Sequence, residues 1–362
     1  MDLIFSNFLT LLAFIFALGL IIGLHEFGHL IVAKMCGVYC FEFAIGFGPK
    51  IFSFRYRDTD YSLRLIPLGG FVAMAGESEL NENYIATHDL KKINEKNTIN
   101  GIHPFKRILV QVAGVFFNFI LAYILIVIVL LNNPIFPKES APIVNEVVKD
   151  SPAEKAGIMP GDTIESIYFE DGFKLENIKS FNEISPYIAN KGGNISLTIN
   201  RADTSLKINV KALLNENNTY YIGIKVANEF VKINFSNVFY YSFIELITIF
   251  KMIFISLINL FKGIGLNQLG GPIAIYKVTN QAVSLGASVY LKLIALLSIN
   301  VGIFNLLPVP ALDGGRIIMS LYELISGKQI NKKVEQFLII STMILLLALF
   351  AILMLKDIFI SF

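Results

Sequence analysis

Three stretches of this chain are apolar with almost no interruption: residues 3–34, 108–131 and 334–355. Each is long enough to cross a hydrocarbon core about 30 Å thick as a helix. A fourth, 290–307, is shorter and runs into prolines. A fifth candidate, 243–261, has another pattern. Its polar residues Glu245, Thr248, Lys251, Ser256 and Asn259, with Lys262 just beyond, gather on one arc of a helical wheel and leave the opposite arc to Ile, Leu, Phe and Met. Such a stripe predicts a helix lying in the membrane interface. Residues 133–235 change period altogether, with alternation at 195–199 and 206–210 broken by Gly, Asn and Asp, as in the short strands of a soluble domain.

These patterns predict a polytopic α-helical membrane protein with about four transmembrane helices. Residues 1–132 hold the first two helices and the loop between them, 133–235 an inserted α+β domain, 236–288 an amphipathic interfacial segment, and 289–362 the last two spans. Composition agrees: 54% of the residues are hydrophobic, only 16% are charged, and the mean hydropathy of +0.63 makes lipid the natural solvent. A formal net charge of +2, with no basic cluster interleaved with aromatics, excludes a nucleic-acid role. The charge distribution says more than its sum. No Lys or Arg precedes the first span, while the loop after it carries nine, from Lys50 to Arg107. The positive-inside rule then puts the N-terminus outside, that loop in the cytoplasm and the inserted domain on the extracytoplasmic side. The first span lacks a basic leader and a small-residue cleavage site, so it is expected to stay as an anchor. Cys36 and Cys40, just beyond it, are read as reduced packing residues.

The chemistry is inside the first span, where residues 25–29 read H-E-F-G-H. On a helix, residues four apart share a face, so His25 and His29 can offer two imidazoles to one metal ion while Glu26 projects beside them as a general base. Ionisable groups in hydrocarbon are functional by default. Two histidines leave a tetrahedral zinc short of a third protein ligand, its fourth position being kept for water. Residues 305–315, N-L-L-P-V-P-A-L-D-G-G, supply the best candidate: two prolines prevent a regular helix, and Asp313 follows at membrane depth. Irregular backbone at that depth is tolerated where protein or a water-filled cavity satisfies it. His88 and His103 lie in a polar loop without matching partners. Topology bears on the pairing: if 243–261 does not cross, Asp313 ends a span at the same face as the histidines, and a crossing there would put it on the opposite side.

Two further stretches carry signals. Residues 151–162, S-P-A-E-K-A-G-I-M-P-G-D, read as a short helix closed by glycine and a turn into a strand at 163–167. This resembles the signature of bacterial PDZ domains, which bind extended peptide by strand addition. Residues 41–74 read as β-rich, with G-F-G-P at 46–49, a charged turn at 55–60 and P-L-G-G at 67–70.

Taken together, H-E-F-G-H, G-F-G-P, the PDZ-like insert and N-L-L-P-V-P-A-L-D-G-G resemble, over nearly the whole chain, the site-2 protease family of intramembrane zinc metalloproteases, and within it the RseP-type bacterial regulators. The resemblance implies that His25, His29 and Asp313 bind zinc, that Glu26 activates water, and that Asn305 contacts substrate backbone near the scissile bond. It makes 41–74 the family's membrane-associated β-loop. It implies a multi-pass protein of the bacterial inner membrane, active site toward the cytoplasm, that cleaves transmembrane segments of single-span proteins such as an anti-sigma factor or a remnant signal peptide. Residues 113–118, A-G-V-F-F-N, are similar to the family's A-G-P-x-x-N stretch, with Val115 in place of the usual proline and Asn118 as a second candidate substrate contact. About one hundred residues of insert hold a single PDZ-like unit, not the tandem pair of some relatives. Two other readings use the same residues: a metal transporter holding His and Asp in a discontinuous helix, and a noncatalytic scaffold that binds peptides through the insert. Glu26 between paired histidines and the lack of repeated spans argue against the transporter.

Overall fold

The computed structural model describes residues 2–77, 93–137, 141–215, 219–226, 230–261 and 269–360. It divides into two compact units, Met1–Asn133 with Phe235–Phe362, and Pro134–Asn234.

The first unit is a helical bundle with a β-hairpin attached. Helix α1, Asp2–Met35, is continuous through the H-E-F-G-H motif and ends with Lys34 in its last turn, where a cation suits the helix dipole. Two long antiparallel strands follow, β1 (Cys40–Tyr56) and β2 (Thr59–Met74). Both bend. Glycines with positive φ at 46, 48 and 69 take up the bend, so that residues 42–45 pair with 70–73 on one side and with 60–63 on the other. The expected β-rich loop is therefore a compact sheet. Helix α2, Pro104–Asn132, opens with proline at its first position and His103 as N-cap, whose Nδ1 accepts from the Phe105 N–H at 3.2 Å. It runs unbroken through Val115, where the related pattern has proline.

After the insert come α5 (Val238–Phe261), α6 (Pro272–Ser284), α7 (Ala287–Asn305), α8 (Asp313–Ser326) and α9 (Lys332–Ile360); α3 and α4 belong to the insert. Among the described residues, α1, α2, α5, α7 and α9 are long and apolar enough to cross a membrane. By length and apolarity α5, expected as an interfacial helix over 243–261, also reaches the size of a span. Along its polar arc the exposed Thr248 and Ser256 donate to carbonyls four residues back in the same helix, and Glu245 pairs with Lys292 of α7 at 2.8 Å.

Side-chain contacts along α1 and α2 place the helices after the insert. The Tyr123 hydroxyl of α2 donates to Phe239 O at the start of α5, while α6 runs back along α1 with Tyr276 beside Phe14 and Asn280 accepting from Thr10 at 2.9 Å. Tyr290, at the start of α7, then donates to Ala13 O. From there α7 runs alongside α1 toward the histidines, where Asn305 reaches His25.

The second unit, described by itself, contains α3 (Pro152–Lys155), α4 (Phe181–Lys191) and a four-stranded antiparallel sheet made of β5 (Thr163–Phe169), β6 (Lys174–Glu176), β7 (Asn194–Arg201) and β8 (Thr204–Lys211) in the order β6-β5-β7-β8. The short β3 (Ile135–Pro137) and β4 (Val144–Val147) pair with Phe230–Lys232 and Ile224–Val226 near the end of the unit. Alternation places Ile195, Leu197 and Ile199 in the core with Ile164, Ile167 and Ile184. As the sequence predicts, Ser151 caps α3, its Oγ accepting from the Glu154 N–H, and glycines with positive φ at 157 and 161 turn the chain into β5.

Candidate metal centre

The centre forms where α1, α2, α7 and α8 meet. A glycine at 28 allows α1 and α2 to touch there, since a Cβ on it would lie 2.6 Å from Ala113 O. Gly114, the next residue on α2, faces the imidazoles: a Cβ there would lie 2.4 Å from His29 Nε2 and 2.7 Å from His25 Cε1. Only a residue without a side chain leaves room for both rings. Helix α7 is fixed against α2 by the Ser298 hydroxyl, which donates to Asn118 O at 2.8 Å.

Beyond Asn305 the helix stops and residues 306–312 turn without regular structure. The chain crowds so closely here that a Cβ at 314 would come within 2.3 Å of Leu306 O and Leu307 O, and one at 315 within 2.3 Å of Val309 O. The two glycines after Asp313 are what let the segment fold back and start α8. Asp313 is the first residue of that helix, where the partial positive charge of the N-terminus favours a carboxylate.

Asp313 Oδ2 lies 3.1 Å from His25 Nε2 and 3.3 Å from His29 Nε2, and the two Nε2 atoms are 3.2 Å apart. These three ligand atoms form the candidate metal cluster among the described residues. Their spacing fits a small tetrahedral ion, whose ligand atoms at 2.0–2.1 Å stand about 3.3 Å from one another. Hydrogen bonding fits as well. His29 Nδ1 lies 2.8 Å from Val110 O, so it carries the proton that it donates there and leaves the Nε2 lone pair facing inward. With Nε2 unprotonated, the buried Asp313 Oδ2 has no hydrogen-bond donor among the described residues. Three converging lone pairs in an apolar bundle are a cation site.

His25 is held by Asn118, whose amide is 3.2 Å from its Nδ1. A ligating Nε2 leaves the proton on Nδ1, and an amide turned to present Oδ1 accepts it and gives that buried oxygen, otherwise unpartnered, its hydrogen bond. Asn118 is fully buried behind the ring and does not line the cavity in front of it. Expected as a substrate contact, it is set back from the cavity, because α2 turns its side chain to the histidine. Asn305 does face the cavity, its amide 3.5 Å from His25 Nε2.

That cavity, of about 560 Å³, is bordered by His25, Glu26 and His29, by Asp313, and by residues 69–72 and 74 of β2. A Cβ at Gly70 would lie 3.1 Å from Glu26 Cγ, so β2 passes directly over the carboxylate. Phe47 and Phe71 stack beside it, ring centroids 6.3 Å apart. His103 caps α2 and takes no part, and His88 lies outside the described residues. Sequence reasoning pointed to the three side chains that converge here and to Glu26 beside them. It missed Gly114 and the orienting role of Asn118, although a glycine facing an H-x-x-x-H helix in an apolar segment is a usable signal for such a place.

Comparison with known proteins agrees with this geometry. Residues 13–349 match the model of Peptidase family M50. A Clostridium perfringens protein is 35% identical, the match covering 94% of this chain and 96% of that one. The zinc metalloprotease RasP of Bacillus licheniformis is 31% identical over 96% of this chain and 98% of its own length. Among solved structures, the PDZ domain of the SdrC-like protein from Listeria innocua is 28% identical over 25% of this chain and 96% of its own, with a TM-score of 0.21. On the family match and the near full-length relatives, this chain belongs to Peptidase family M50, the site-2 protease family of metalloendopeptidases.

Proposed function

We propose that the protein is a zinc-dependent intramembrane endopeptidase that cleaves transmembrane segments of single-span membrane proteins. The observation that carries this reading is the convergence of His25, His29 and Asp313, from helices almost three hundred residues apart, on one point within an apolar bundle. His25 and His29 through Nε2 and Asp313 through Oδ2 would hold the ion, which supplies the Lewis acidity to polarise a scissile carbonyl and acidify water.

The chain's own groups do the rest. Glu26 takes a proton from the attacking water and passes it to the leaving amine. Asn118 and Val110 O fix the two imidazoles in the tautomer that frees each Nε2. Asn305 offers an amide donor and acceptor to the substrate backbone. An intact transmembrane helix hides its carbonyls in its own hydrogen bonds, so it must unwind to react. The edge of β2 from Gly70 to Met74, bordering the cavity, can pair with the extended product of that unwinding.

On this reading the protein sits in the bacterial inner membrane, with α5 and α6 as the amphipathic interfacial segment that precedes α7. The N-terminus and the PDZ-like insert are extracytoplasmic, and the metal centre opens toward the cytoplasm, as the nine basic residues of the first loop support. The substrates are single-span proteins such as an anti-sigma factor or a remnant signal peptide, and the insert binds an extended peptide.

The test is cleavage of a model single-span substrate by purified protein in detergent with zinc. Wild type cleaves, and Glu26→Gln retains zinc while losing about 10²–10⁴-fold in rate. Equal cleavage by both would remove Glu26 from the mechanism, and no zinc in wild type would remove the metal centre.

A further inference from the structure

A second cavity, of about 340 Å³, opens between the end of β2, the first turns of α2, α8 and the start of α9. It shares a wall with the metal cavity: Glu77, Gln111 and Arg316 line both. Within that wall Arg316 NH1 donates to Glu77 Oε1. The ion pair therefore stands between the two spaces, and it ties together parts of the site that are distant in sequence. Arg316 lies three residues after the ligand Asp313 on α8, and Glu77 three residues after Met74, the end of β2.

The direction of β2 gives the second cavity a use. The strand passes Glu26 at Gly70 and ends at Met74, and a turn over residues 75–77 brings the chain to the ion pair at Glu77. A peptide added to its edge advances about 3.3 Å per residue, so about four residues carry it along the strand from Gly70 to Met74, next to the turn that holds the pair. Beyond the pair the lining mixes apolar side chains, Ile99, Met319, Ile330 and Ile339, with both signs of charge, Arg107 and Glu323 joined at 2.8 Å and Lys332 and Glu335 on α9. Unpaired backbone amides and carbonyls need such a surface, and lipid does not.

The geometry points to the second cavity as a subsite for the cytoplasmic flank of the substrate, an extended polar peptide segment that enters when the Glu77–Arg316 pair parts. This rests on the proteolytic reading of the metal centre. The pair is a positioning element: closed, it fixes the end of β2 against the helix that carries Asp313, and open, it passes the flank.

The experiment compares two substrates sharing one span, the first with a long polar cytoplasmic flank and the second cut to two residues beyond the cleaved bond. Gln336→Trp, on the exposed face of α9 that borders the second cavity, fills the space without touching the bundle core. It is expected to lower kcat/KM about tenfold or more for the long substrate and to leave the short one within about twofold. Equal loss on both, or loss on neither, overturns the subsite. Crosslinking supplies an independent readout. In a Cys36→Ser, Glu26→Gln background, Gln336→Cys should form a disulfide with a single cysteine placed in the flank, and absence of a crosslink at every flank position overturns the proposal. Wild-type protein that cuts neither substrate would instead contradict the protease reading and this inference with it.

Discussion

Gly114→Ala tests the packing of the metal centre with a single carbon. The added Cβ would lie 2.4 Å from His29 Nε2 and 2.7 Å from His25 Cε1, where an unstrained contact needs about 3.5 Å. One or both rings must retreat by about 1 Å. Neither can do so freely, since His29 is held by Val110 O and His25 by Asn118. A misplacement of about 1 Å costs about 10²-fold in rate, or about 2.7 kcal/mol of barrier. Fold stability moves less, because alanine favours the helix by about 1 kcal/mol and overpacking costs about 1–3 kcal/mol. Zinc stoichiometry, cleavage rate and thermal unfolding measured on the same preparations separate these effects. Gly19→Ala is the control, since a Cβ there meets nothing within 4 Å. Full zinc occupancy and wild-type cleavage in Gly114→Ala, with Gly19→Ala unchanged, would refute the argument that this glycine exists to admit the imidazoles.

Asn118→Ala removes the group that orients His25 and should weaken zinc about 10–100-fold, read as the chelator concentration that strips half the metal. Retention at wild-type strength would deny the orienting role. In the insert, burial pushes the Asp162 carboxyl up, but hydrogen bonds from Arg201 and the Met159 N–H outweigh it and hold it below the usual carboxylate range. A depressed folded-state pKa gives stability that is fully present above about pH 4 and lost as pH falls through the folded value. Hydrogen exchange in β5 and β7 of the full chain should then be flat from neutral pH down to about pH 5 and accelerate below about pH 4, beyond the intrinsic change, and less so in Asp162→Asn. Leu197→Ala, at a fully buried core position, should cost the insert about 2–5 kcal/mol, seen as faster exchange in the same strands while the bundle keeps its zinc.

Much of this was legible in the sequence for physical reasons. Helical spacing joins His25 to His29, and the rarity of charge in apolar segments marks Glu26 and Asp313. The two prolines after Asn305 announce the break that brings Asp313 into place. The β-rich loop was visible in its alternation and glycines, but its double pairing was not, because register depends on bends at positive-φ glycines. The partners of α5 were not legible either. A polar arc on a wheel looks the same whether its groups meet water or, as with Glu245 and Lys292 or Ser256 and Met252 O, meet protein. The Glu77–Arg316 pair joins residues more than two hundred positions apart, and no local pattern carries that contact.

The central claim is that Glu26 and the three ligands cut a peptide bond at membrane depth. Mass-spectrometric mapping of the bond cleaved in a single-span substrate reconstituted in lipid tests it most directly, with Asp313→Asn as the comparison. The account predicts one cut inside the apolar span, produced by wild type and abolished together with bound zinc in Asp313→Asn. A cut confined to the flanks outside the span, or one that persists when Asp313→Asn has lost its metal, would contradict it.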